Sequence, residues 1–306
     1  MDIDGHKRSD NFEDRGVGGG GGGRAGGGLP VQLISTAIRF LGVKGTVVAG
    51  AIAGAAYMFL PSGVRQALVG QALGGTAAPA GEAGKACAVT PHHTQACDFS
   101  RAVLASTEDV WNKKFQAQAL PEYGTAVGPY QEPTLVVFSQ AVSTGGCGNA
   151  TSAVGPFYCP ADKKLYIDPT FYQTMESKLK APGDFAQAYV IAHEVGHHLQ
   201  NLMGSSRLSV RGESKNQVSV RVELQADCLA GVWGHTARAS LNITEEDLSE
   251  ALTAAHAIGD DSLGHADEDD YTHGSAKQRM HWFRQGFDSG DARRCDTFAV
   301  RNYAQL

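Results

Sequence analysis

The segment His193-Glu194-Val195-Gly196-His197 sets two imidazoles four residues apart, with a carboxylate beside the first. On a helix, residues four apart share a face at about 5–6 Å, the separation two imidazoles need to hold one Zn²⁺. Glu194 then projects from the adjacent side. Its carboxylate can take a proton from a water whose pKa the cation lowers to about 7, and can later hand it to a leaving amine. The pattern therefore predicts one zinc ion per chain, with His193 and His197 as ligands and Glu194 as general base and then general acid.

A catalytic zinc takes three protein ligands and keeps a fourth position open. Glu223 is the expected third ligand. It opens the run Glu223-Leu-Gln-Ala-Asp227-Cys228, in which Asp227 lies one helical turn further along the same face. From there Asp227 can accept an N–H from a ligand imidazole and so fix its tautomer. Two solvated surface acids are the competing reading, but Val222, Leu224, Ala226, Leu229 and Ala230 make this stretch too apolar for an exposed helix. His198 points about 100° away from His197 around a helix, which suits a packing or supporting role. A Cys228 thiolate ligand would move the site toward a closed structural zinc and leave Glu194 without a task.

These side chains need elements to hold them. Thr134–Phe138 and Lys164–Asp168 are short β-rich runs, each bounded by proline, and both precede the motif. Pro182-Gly183-Asp184 is a turn, with Asp184 as helix N-cap and Gln187 completing a capping box, and Gly204 is the natural stop. Further helices are expected from Asp98 to about Phe115, from about Val218 to His235, from Thr244 to Gly259 and from Lys277 to Phe287. The pattern is α+β, with a small sheet before the metal helix and a folded domain over 98–306.

The chain of 306 residues carries a formal charge of -6 with acids and bases interspersed, so no basic stripe points to nucleic acid. Residues 1–30, dominated by Gly18–Gly23 and Gly26–Gly28, have little to bury and are expected to be disordered. The tract lacks the Gly-Lys-Ser/Thr of a phosphate loop. Residues 45–60 are uncharged and form the core of an expected transmembrane anchor over 31–62, followed by a small-residue tether over 63–97. Sixteen residues span only about 24 Å of a roughly 30 Å hydrocarbon core, so flanking residues must contribute. Arg39 and Lys44 precede the stretch, which predicts a cytoplasmic N-terminus and an exported domain. Six cysteines without a CxxC pair then favour disulfides. Cys147 and Cys159 flank a Gly- and Ser-rich loop, and Cys228 with Cys295 and Cys87 with Cys97 complete the set, buried free thiols being the alternative.

Several of these segments together resemble the YpfJ-like neutral zinc metallopeptidases of bacteria, small membrane-anchored zincins. The resemblance covers Arg8-Ser-Asp-Asn-Phe-Glu-Asp14, Cys147-Gly148, Gly155-Pro-Phe-Tyr-Cys-Pro160, Asp184-Phe-Ala-Gln187, the metal motif, Glu223–Cys228, Thr272-His-Gly-Ser275 and Trp282-Phe-Arg-Gln-Gly-Phe287. It implies a zincin-like fold, hydrolysis of peptide bonds in peptide or protein substrates, and attachment to the bacterial cell membrane by a single helix. More distantly, HExxH with a later ExxxD is similar to gluzincins, some of which carry Thr-His-Pro followed by arginine. The counterpart here is Thr272-His273-Gly274 with Arg279, with glycine in place of proline. That likeness implies His273 as oxyanion support. The family resemblance also implies that Leu165, Tyr166 and Ile167 form the edge strand on which extended substrate lies. Two rival functions are a zinc-binding adaptor or chaperone without proteolysis, and a zinc hydrolase of a non-peptide envelope amide.

Overall fold

The run Thr134-Leu-Val-Val-Phe-Ser139 is apolar at every position from 135 to 138 because both of its faces are covered. It forms strand β2 (Thr134–Ser139) of a four-stranded sheet ordered β1-β2-β6-β5, where β1 is Phe12–Val17, β5 Phe157–Cys159 and β6 Lys164–Ile167. Strands β1, β2 and β6 run parallel and β5 is antiparallel to β6. Leu135, Val137, Leu165 and Ile167 face the helices, while Val136, Phe138 and Tyr166 face a two-stranded hairpin of β3 (Ala141–Ser143) and β4 (Asn149–Thr151).

This computed structural model describes residues 1–18, 84–124 and 127–306, and Met1–Gly20 with Ala83–Leu306 forms one compact unit. The anchor expected over 31–62, its 45–60 core, the glycine tract from residue 19 and the tether up to residue 83 lie outside the described residues. Among the described residues no helix is long and apolar enough to cross a membrane.

Residues 1–18 are not the disordered tail that composition suggested. Strand β1 sits at the sheet edge, and the polar segment ahead of it is held by specific partners. Arg8 forks onto both oxygens of Asp98 at 2.8 and 2.7 Å, and Ser9 and Asn11 donate to the buried Glu108 at 2.6 and 2.8 Å. Glu13 pairs with Lys164 across the sheet. A six-residue edge strand buries too little apolar surface to stand out beside a long glycine run, so composition hid it. The tether expectation likewise fails over 84–97. Helix α1 (Pro91–Gln116) starts at Thr90, whose hydroxyl accepts the His93 N–H with Pro91 at the first turn, and Asp98 lies inside it.

Five further helices follow among the described residues: α2 (Thr170–Ser177), α3 (Asp184–Met203), α4 (Lys215–Ala237), α5 (Glu245–Ala257) and α6 (Ala276–Ser289). Thr244 caps α5 as expected, with Asp247 completing a capping box. Ser214 and Ser275 cap α4 and α6 in the same way, starting those helices slightly earlier than apolar periodicity alone indicates. Asp184 does not cap α3. The start of α3 is capped from a distance, by the Glu250 carboxylate of α5 accepting the Phe185 N–H at 3.0 Å, while Gly204 closes the helix in the left-handed region. Helices α4 and α6 touch through glycine: a Cβ at Gly286 would lie 1.9 Å from the Cys228 carbonyl oxygen. All three disulfides, Cys87–Cys97, Cys147–Cys159 and Cys228–Cys295, form as the sequence pairing anticipates.

Candidate metal centre

Helix α3 places His193 and His197 one turn apart, and α4 brings Glu223 against both. Their approach depends on Gly196, where a Cβ would stand 2.9 Å from the Ala226 Cα and carbonyl oxygen. His193 Nε2 lies 3.1 Å from Glu223 Oε2, and His197 Nε2 lies 3.4 Å from Glu223 Oε1. Two tetrahedral ligand atoms at zinc–nitrogen distances near 2.05 Å stand about 3.3 Å apart, so the spacing fits that ion.

The hydrogen bonds on the far side of each ring strengthen the fit. His193 Nδ1 lies 2.8 Å from Asp227 Oδ1 and His197 Nδ1 lies 2.8 Å from Gln200 Oε1, both acceptors. Each neutral ring therefore carries its hydrogen on Nδ1 and aims the Nε2 lone pair at a carboxylate oxygen. Lone pair against lone pair is repulsive until a proton or a cation stands between them. Both rings accordingly hold a proton more tightly than a free imidazole does. Burial acts to lower the His193 imidazole, but Asp227 and Glu223 outweigh it and raise its pKa to about 10. Burial likewise acts against the Glu223 carboxylate, yet His197 and His193 hold it well below its ordinary range. A zinc ion held by His193, His197 and Glu223 would supply positive charge there.

Asp227 is fully buried and saturated with donors: the Tyr189 hydroxyl at 2.5 Å, His193 Nδ1–H at 2.8 Å, and Arg279 Nε–H and Nη2–H at 2.8 and 2.9 Å. Burial opposes its charge, but Arg279 and His193 keep it ionised. Arg279, expected from the sequence only as the arginine that follows Thr272-His273-Gly274, thus stands behind the ligands as the partner of Asp227. Glu194 lines the cleft at 9% exposure, and burial pushes its carboxyl up from its ordinary value, toward the range useful to a base that must also return a proton.

His273 reaches the same cleft from the loop before α6. Its Nδ1 lies 3.1 Å from Oδ1 of Asp260, whose other oxygen accepts the backbone N–H groups of Thr272, His273 and Gly274 at 2.8, 2.7 and 3.0 Å. Gly274 adopts φ 93, a conformation closed to proline, so the departure from Thr-His-Pro belongs to a different turn. Asp260, Gln200, Tyr189 and Glu250 were not anticipated. Tyr189 and Gln200 sit four before His193 and three after His197, helical spacings that could have revealed them. Asp260 and Glu250 carry no such signal.

The edge-strand expectation is corrected. Leu165, Tyr166 and Ile167 lie in β6, which is flanked by β2 and β5 and at most 3% exposed. The edge facing the cleft is β5: Gly155, Pro156, Phe157 and Tyr158 line a cavity of about 1190 Å³ together with His193, Glu194, His197, Glu223 and His273. Parallel β2 and β6 leave β6 open on one side, and the antiparallel return of Phe157–Cys159 fills it. His198 is no ligand; it is buried beside Tyr158.

Three potential ligands on two helices, with a buried carboxylate beside them in an open cleft, form a site that could hold a metal ion. The comparisons agree. The family model described as "putative neutral zinc metallopeptidase" matches residues 1–298, and the chain belongs to that family. It is 46% identical over 221 residues to the uncharacterized protein YpfJ of Escherichia coli, covering 69% of this chain and 74% of that protein. It is 43% identical over 188 residues to an uncharacterized protein of Mycobacterium tuberculosis, covering 56% and 64%. No solved structure matches the chain.

Proposed function

We propose that this protein is a zinc-dependent endopeptidase. The observation that carries the reading is Glu194, a buried carboxylate on the cleft wall beside His193, His197 and Glu223, because a structural zinc site has no use for such a group. Zinc held by those three residues would polarise the scissile carbonyl and lower the pKa of water. Glu194 then takes the water's proton and delivers it to the departing nitrogen. Asp227 and Gln200 hold the two imidazoles in the tautomer that faces the cation, and Arg279 keeps Asp227 charged. His273, backed by Asp260, offers an imidazole to the oxygen that gains negative charge. The β5 edge favours an extended polypeptide over a compact amide, since its backbone is paired on one side only.

Three disulfides support an oxidising compartment outside the bacterial cytoplasm, and the apolar stretch 45–60 supports attachment to the cell membrane. The test pairs metal analysis with a peptide-library digest of the full chain and its Glu194→Gln variant. One zinc in both proteins, with cleavage only by the first, is the expected outcome. An unchanged rate in the variant removes Glu194 as base, and zinc without cleavage in either protein favours the adaptor reading.

A further inference from the structure

Strand β5 is only three residues long, yet it must stand at a fixed distance from the metal helix if a substrate laid along it is to meet Glu194. One side chain ties the two elements. The Tyr158 hydroxyl lies 3.0 Å from His198 Nδ1 and 3.0 Å from Asn201 Nδ2, both on α3. His198 Nε2 lies 2.5 Å from the Gln131 carbonyl, which can only accept, so the ring carries its hydrogen there and Nδ1 accepts from the phenol. The phenolic oxygen in turn accepts from the Asn201 amide. Every hydrogen in this chain has one direction, and none of it touches the metal ligands. The same strand is stacked through Phe157 on Tyr166 at 4.9 Å and ends in the Cys147–Cys159 disulfide.

We propose that Tyr158 is a positioning residue whose phenol sets the place of the β5 edge relative to the zinc helix, and hence the binding of extended peptide. The proposal rests on the peptidase reading. Its test is Tyr158→Phe, which removes one oxygen and keeps the ring. Zinc stoichiometry and kcat should stay unchanged, while KM rises about tenfold for peptides of six or more residues and not for a blocked dipeptide. An equal loss on both substrates, or none on either, overturns it. Hydrogen exchange separates this from failure of the peptidase reading: amides of 157–159 should exchange at least tenfold faster in the variant, with those of α3 unchanged. Unaltered exchange at 157–159 overturns the proposal whatever the activity.

A second inference stands on a different observation. The Val17 N–H donates to the Gly84 carbonyl at 3.0 Å, the Gly18 N–H to Ser139 at 2.9 Å, and the Asp14 carboxylate accepts the Ala86 and Cys87 N–H groups at 2.8 and 3.1 Å. The chain therefore leaves the sheet after Gly18 and returns to it at Gly84, at the same point. A single membrane crossing between those residues would put two hydrogen-bonded partners on opposite sides of the bilayer. We infer that residues 1–18 and 84–306 share one compartment. It is an alternative to the topology expected from the sequence, in which the N-terminus is cytoplasmic and the domain exported.

All six cysteines are paired, so one introduced cysteine is the only free thiol. Asp10→Cys and Asp109→Cys, both at exposed positions, are labelled separately in intact cells with a membrane-impermeant maleimide. Equal labelling, or equal protection until lysis, is expected; labelling of only one overturns the inference. Replacing 19–83 by four Gly/Ser residues should leave one zinc per chain and an undiminished melting temperature, whereas residues 84–306 alone should melt about 10 °C lower. An unfolded excision variant, or equal melting of the two shortened chains, refutes docking of β1.

Discussion

Asp227 and Arg279 test the framework behind the candidate metal site most directly, because their side chains are 0% and 2% exposed and are joined by two hydrogen bonds. Asp227→Asn preserves shape but removes the charge and turns one acceptor into a donor. Arg279 keeps the Ile258 carbonyl at 3.2 Å and the Tyr189 hydroxyl at 3.3 Å, yet loses its carboxylate. An uncompensated buried charge costs about 3–5 kcal/mol. The same change weakens the bond that orients His193, which should lower zinc affinity about 10–100-fold, or roughly 1.4–2.7 kcal/mol. Adding Arg279→Met removes the stranded cation. The double variant should then recover most of the stability lost by Asp227→Asn alone, while its zinc affinity stays low, since His193 still lacks its carboxylate. Denaturant unfolding of chelator-treated protein reads the first quantity, and competition with a calibrated chelator reads the second. Additive stability losses across the cycle, or wild-type zinc affinity in Asp227→Asn, would refute the reasoning.

Glu223→Ala should reduce bound zinc well below one per chain in metal analysis of dialysed protein; full retention would point to a different third ligand. Gly196→Ala should cost about 1–3 kcal/mol and weaken zinc binding together, because the added methyl meets the α4 backbone at 2.9 Å; a neutral substitution would show that the helices have room to part. Burial acts to raise the Asp168 carboxyl, but hydrogen bonds from Ser152, Thr170 and Gln140 outweigh it and hold it below its ordinary 3.8. A carboxyl depressed in the folded state adds stability above the unfolded value, and that stability is lost as pH falls through the folded value. Asp168→Asn should therefore be less stable than the native chain near neutrality, with the gap closing below pH 3.8 in acid melting curves; a gap constant with pH would remove the carboxylate from the explanation.

What could be read from residues alone was whatever the helical period encodes. His193 and His197, and Glu223 and Asp227, are pairs one turn apart, and the geometry of a helix brings each pair to one face without help from the rest of the chain. Thr244 and Gly204 announced helix ends for the same local reason. Loop spacing favoured Cys147 with Cys159, whereas spacing does not fix the partners of the other four cysteines, which form the expected pairs in the structure. Errors came where the deciding partner lies far along the chain. Helix α3 begins where Glu250, 65 residues away, caps it, so the nearby Asp184 misled. Residues 8–14 look like a polar tail until Asp98, Glu108 and Lys164 are brought to them. Local periodicity marked Lys164–Ile167 as a strand; its interior place in the sheet depends on the return of β5.

Spacing along the chain thus singled out His193 and His197, Glu194 beside them, and Glu223 with Asp227 as a candidate metal centre, because each pair lies on one helix face. Only the tertiary structure decided which strand borders the cleft, that Asp260 holds the His273 loop, and that the N-terminal segment belongs to the four-stranded sheet. Those outcomes depend on pairings between distant backbones, whose energy resides in the contact and leaves no period in the residues on either side.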